Sequence, residues 1–158
     1  MHYQATANEI NVSNFLKNKG IIYPWDLQIE NVCNIFDIDL ELGEVSLALN
    51  YNGYKMITLN KKKDEKQRQY EFFHELSHLL NHCGNQDKLP INFRYFQENQ
   101  ADTLALYFAI PYHMLKFLNL QSNEVIREAS EMFMLPDSIV YKRLNQIKNK
   151  VLSQIKIV

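Results

Sequence analysis

Apolar positions along the chain switch between a period near three and a half and a period of two, and the switches mark its elements. From Asp64 to Cys83 there is no Pro or Gly, and Phe72, Phe73, Leu76, Leu79, Leu80 and Cys83 fall three and four apart. That spacing predicts an amphipathic helix with one buried stripe, ended at Gly84. A second helical run covers Phe93 to Ile110. Upstream, Ile10, Val12, Phe15 and Leu16 predict a short helix closed by Gly20. Pro24 suits a first helical residue, and Trp25, Ile29, Val32, Cys33 and Phe36 follow at helical spacing. Between these helices the period is two. Ile38, Leu40 and Leu42 alternate up to Gly43, and Val45, Leu47, Leu49 and Tyr51 alternate again. Asn52-Gly53 predicts a two-residue hairpin turn, with Tyr54 to Leu59 returning. A small antiparallel sheet ahead of the long helix is therefore expected.

The last third of the chain predicts a helical pair. Ser122 suits an N-cap for a helix from Asn123 to Phe133. Met134-Leu135-Pro136-Asp137 breaks it, and Ser138 to Lys150 forms the next helix. Ala129, Phe133, Ile139, Val140 and Leu144 are placed to pack the two together, an arrangement similar to a helix-turn-helix. Residues 122–158 hold six Lys or Arg against four Asp or Glu. That excess is too thin to indicate DNA binding, so packing on the core or docking of a substrate is the expected role.

Composition narrows the class. A chain of 158 residues suits one domain, 1–158, with a core region at 1–120 and a helical subregion at 121–158. Apolar residues make up 46% of it, including nine Tyr and nine Phe, which excludes a disordered chain. Lys and Arg number 17 against 18 Asp and Glu, which gives no support to general nucleic-acid binding. Cys33 and Cys83 form no scaffold pattern and read as reduced thiols of a cytoplasmic protein. Met1-His-Tyr-Gln-Ala opens polar, so no secretory leader is expected, and no apolar run is long enough to predict a membrane span. Lys61 to Arg68 has no apolar residue and reads as a solvated lead into the long helix.

On that helix, His74-Glu75-Leu76-Ser77-His78 reads H-E-x-x-H. Histidines four apart share a helical face, about 6 Å apart along the axis, and can grip one tetrahedral ion. Glu75 then stands beside a water on that ion and can take its proton, which is the chemistry of metal-assisted amide hydrolysis. Such a site needs a third ligand. Glu98, inside the second helical run, is the candidate. Asp102, one turn further, is placed to accept from the non-metal nitrogen of His74. His82 is too far from His74 to share its ion and reads as structural or as a rim residue. Gly84 stands where three-histidine zinc peptidases place their third ligand, which argues against such a site.

These residues resemble the ImmA/IrrE family of zinc metallopeptidases. The resemblance rests on Ile57-Thr58-Leu59-Asn60, then Phe72-Phe73-His74-Glu75-Leu76-Ser77-His78, then Glu98-Asn-Gln-Ala101-Asp102 leading to Phe108-Ala109-Ile110-Pro111. It spans roughly residues 25 to 145. Phe73 replaces a residue that is usually small, and Ser77 replaces the usual Gly. The resemblance implies an α+β, zincin-like metallopeptidase core with zinc on His74, His78 and Glu98 and with Glu75 as general base. It implies a zinc endopeptidase that cleaves a helix-turn-helix repressor of the Cro/cI kind, as an anti-repressor of a phage or mobile element. The protein partner is then that repressor, with no membrane and no direct nucleic-acid contact.

Peptide hydrolysis also calls for an oxyanion donor, and Tyr107, Tyr112 and His113 are candidates as polar-tipped residues beyond the ligand helix. An extended substrate could add to the edge of the sheet. Two other classes stay open: a regulatory or toxin–antitoxin component with structural zinc, and a DNA-binding module in which H-E-x-x-H is incidental.

Overall fold

The structure is a computed structural model that describes residues 3–82 and 98–155, apart from the side chains of residues 81, 82 and 98–100. Among the described residues, six α-helices and one three-stranded sheet form an α+β fold: α1 (Ala7–Asn18), α2 (Ile29–Phe36), β1 (Ile38–Gly43), β2 (Leu47–Tyr51), β3 (Tyr54–Asn60), α3 (Glu65–His82), α4 (Glu98–Ala109), α5 (Val125–Phe133) and α6 (Asp137–Ile155). No helix among the described residues is long and apolar enough to cross a membrane.

The hairpin forms as the alternation predicts. β2 and β3 are antiparallel around Asn52 and Gly53, both at positive φ (50° and 87°), as a turn of this twist requires. The purely antiparallel sheet is corrected: β1 runs parallel to β3, and the strand order is β1-β3-β2. Alternation reports which face a residue takes, not which strand it pairs with. Here β3 enters between the two earlier strands, leaving β1 and β2 at the edges among the described residues.

The inner face of the sheet carries Ile38, Ile57 and Leu59, all buried against the helices. The stripe predicted for α3 is in place: Phe72, Phe73, Leu76, Leu79 and Leu80 are all at most 2% exposed. α3 packs along α4 and against β2 and β3. Cys83 and Gly84 lie outside the described residues. Phe73 fits without disturbance, meeting Phe72 edge-on. Ser77 is fully buried, and its hydroxyl donates to the Phe73 carbonyl at 2.7 Å, so the polar group is satisfied within the helix.

At the N-terminal end, Thr6 and Glu9 cap α1 reciprocally. The Glu9 carboxylate also accepts from the Tyr3 hydroxyl and pairs with Arg143 Nη1 at 2.6 Å, both partners being 1% exposed. Arg143 Nε donates to the Ile110 carbonyl, and the guanidinium rests over the Tyr107 ring. One buried ion pair thus joins α1, α6 and the end of α4. Pro24 opens a 3-10 turn to Leu27, which ends at Gln28 before α2, and Trp25 is 62% exposed rather than on the apolar stripe. In the C-terminal pair, Ala129, Phe133, Ile139 and Val140 are buried between α5 and α6, and Met134 makes the break in the left-handed region (φ 54°).

Candidate metal centre

α3 presents His74 and His78 one turn apart, with their Nε2 atoms 3.2 Å from each other. Two nitrogens bound to one tetrahedral zinc at about 2.0–2.1 Å stand about 3.3–3.4 Å apart. The imidazoles therefore already have the separation that one ion imposes, and the residues present fit zinc. His74 is further fixed from behind, because Asp102 Oδ1 lies 2.9 Å from its Nδ1. A carboxylate only accepts, so the imidazole proton sits on Nδ1 and Nε2 is the lone-pair nitrogen.

Tyr70 was not singled out from sequence, although it stands one turn before His74 on the same helix. Its hydroxyl lies 3.4 Å from Asp102 Oδ1. Burial, with Asp102 beside it, holds that hydroxyl well above the usual tyrosine range, so it stays a donor. Tyr70, Asp102 and His74 make a chain of contacts ending at the candidate metal position.

Glu75 follows His74 on α3 and is half-buried. One turn earlier, Glu71 accepts from the Ser46 hydroxyl, which itself accepts from the Asn60 backbone N–H at 2.9 Å. This clip ties the start of the hairpin to α3 one turn before Glu75. It joins distant residues, and no local pattern could have shown it.

Glu98 is the first residue of α4, one turn before Asp102, but its side chain lies outside the described residues, as does that of His82. The oxyanion candidates have partners on the α1 and α6 side of the fold. Tyr107 lies under Arg143, and Tyr112 meets the Tyr3 ring edge-on. His113 donates its backbone N–H to the Ser13 hydroxyl, and its Nε2 lies 3.1 Å from the Ile21 carbonyl. Burial of Cys33 pushes its thiol up to about 12, so it stays protonated and unreactive.

A helix bearing H-E-x-x-H, packed under a small sheet and beside a second helix that supports the first histidine, is a metallopeptidase-like arrangement. The chain belongs to the Peptidase_M78 family, the IrrE N-terminal-like domain, which matches residues 32–150. It is similar to the uncharacterized protein YqaB of Bacillus subtilis (strain 168), with 28% identity over 148 residues, 92% of this chain and 86% of that one. It is also similar to phage-like element PBSX protein XkdA of the same organism, with 28% identity over 142 residues, 88% of this chain and 72% of that one.

Proposed function

We propose that the chain is a zinc-dependent endopeptidase that cleaves a helix-turn-helix repressor of the Cro/cI kind and so relieves repression of a phage or mobile element. The observation that carries the peptidase reading is the 3.2 Å approach of the two Nε2 atoms, with Asp102 fixing the tautomer of His74. Membership of a peptidase family and similarity to a phage-like element protein support the wider setting. The repressor as substrate comes from the family resemblance.

His74, His78 and Glu98 would hold the metal. Bound zinc supplies a Lewis acid that activates water and polarises a peptide carbonyl. Glu75 takes the proton of the attacking water and gives it to the departing amine, so one carboxylate serves as base and then as acid. Asp102, backed by Tyr70, holds the His74 ring in its working orientation. Among the described residues β2 is an edge strand and packs on α3, the helix that carries the two histidines, so an extended substrate backbone could pair with it.

The test is incubation of the purified chain with a Cro/cI-like repressor, with and without chelator, followed by the masses of the fragments. The expected result is chelator-sensitive cleavage that Glu75→Gln abolishes while zinc stays bound. Absence of stoichiometric zinc, together with a Glu75→Gln variant that behaves like the parent, would overturn the peptidase reading. Zinc whose removal unfolds the chain, with no cleavage to lose, would assign the metal a structural role instead.

A further inference from the structure

The second edge of the sheet, β1, lies on the far side from β2, and the proposed function does not use it. Among the described residues β1 pairs with β3 alone. Its register with β3 places Ile38, Leu40 and Leu42 on the inner face and Asp39 and Glu41 on the outer face. Ile38 is buried, but Leu40 and Leu42 are 36% and 56% exposed. They line a groove of about 780 Å³ that runs from the edge of β1 to the exposed Trp25 and to Met132 at the end of α5. Edge strands are usually blunted by charged side chains, lysine above all, by proline or by a bulge. In Ile38–Gly43 there is no lysine or proline, and the charges are the acidic Asp39 and Glu41, which repel an acidic strand but not a basic one.

We infer that β1 and this groove form a docking site for an extended, basic segment of a partner protein, added as a fourth strand. An added strand turns alternate side chains inward and outward. Its inward side chains would meet Leu40, Leu42 and Trp25, which calls for apolar residues. Its outward ones would lie beside Asp39 and Glu41, which calls for Lys or Arg. The groove has the same sign: Glu30 and Glu65 line it against Arg68, while the charge of Glu131 is met by Lys66 at 2.7 Å. The same charges disfavour a second copy of this chain, because β1 against β1 would set Asp39 and Glu41 beside their own duplicates.

The test uses the full chain, labelled with 15N, and the blocked peptide Lys-Val-Arg-Val-Lys-Val-Arg. Saturable, salt-weakened amide shifts are expected within residues 38–43, with slowed hydrogen exchange there. The same peptide with Glu in place of Lys and Arg should bind at least about tenfold more weakly, as steering by complementary charge requires. Leu42→Lys should weaken binding by about tenfold, since an apolar contact is replaced by a like charge for the peptide. Asp39→Lys, on the solvent face, serves as the second variant should Leu42→Lys lower the melting temperature. The readout needs no metal and no cleavage, so it stands or falls apart from the peptidase reading. Shifts at residues 47–51 instead, no saturation, or concentration-dependent dimerisation that protects β1 without peptide would each overturn the inference.

Discussion

Asp102 Oδ1 reaches His74 Nδ1 at 2.9 Å across the α3–α4 interface, so the second helix sets the tautomer of a histidine on the first. Asp102→Asn should therefore weaken zinc binding by about 10- to 100-fold, the usual cost of losing such an orienting partner. Tyr70→Phe should cost less, since its hydroxyl is a longer 3.4 Å from the same carboxylate. Competition with a chelating dye measures both, and unchanged affinity in Asp102→Asn would refute the positioning role.

The proposed ligands and base separate by two readouts. Glu75→Gln should keep zinc and lower cleavage by about 100- to 10,000-fold, the range for loss of general acid–base catalysis. His74→Ala and His78→Ala should lose both zinc and cleavage, and Glu98→Ala should follow them if its carboxylate is the third donor. Metal content by mass spectrometry alongside the cleavage assay gives the comparison. A Glu98→Ala protein that holds zinc as the parent does would exclude that ligand.

The Glu9–Arg143 pair sets a stability prediction. Arg143→Met leaves a buried carboxylate without its cation, which costs about 3–5 kcal/mol. Replacing both partners, Glu9→Gln with Arg143→Met, should recover part of that loss. Urea unfolding of the two variants measures it, and equal losses would mean that the charge left behind is not the cause.

Acid should weaken the fold in two stages. Burial holds the His113 imidazole below its ordinary value of 6.5, helped by Lys17 and Lys116 and opposed by the Ile21 carbonyl. The folded ring stays neutral while the unfolded one takes a proton, so stability declines as pH falls below about 6.5 until His113 also titrates in the folded chain. Burial alone would raise the Glu9 carboxyl, but Arg143, Tyr3 and the Thr6 backbone outweigh it and hold the group below the carboxylate value of 4.5. The contribution of Glu9 is thus complete above that value and is lost as pH falls through its lower folded one. Unfolding at a series of pH values should show both declines, and His113→Gln should remove the first.

Local patterns made much of this legible. The helical spacing of Phe72 to Leu80, the Asn52-Gly53 turn and the break at Met134 each depend on near neighbours, and each forms where the pattern puts it. The parallel partner of β1 was not legible, because alternation does not say that β3, the last strand in sequence, lies between the two earlier ones. At the candidate site, His74 and Asp102 could be matched by helical phase, since each lies on a predicted helix. Tyr70 had the right phase too, yet a tyrosine one turn from a histidine is ordinary until Asp102 is seen beside it. The Ser46–Glu71 clip and the Glu9–Arg143 pair join residues far apart in the chain, and no period reaches across such distances.

That last pair also bears on synthesis. Glu9 leaves the ribosome early and Arg143 late, separated by on the order of ten seconds at ordinary elongation rates. Until then the Glu9 carboxylate has Tyr3 and Thr6 as donors but lacks Arg143, the cation against which the folded chain buries it. Final packing therefore waits on α6, so released chains truncated before position 143 should be cut readily by added protease while the full 158-residue chain resists.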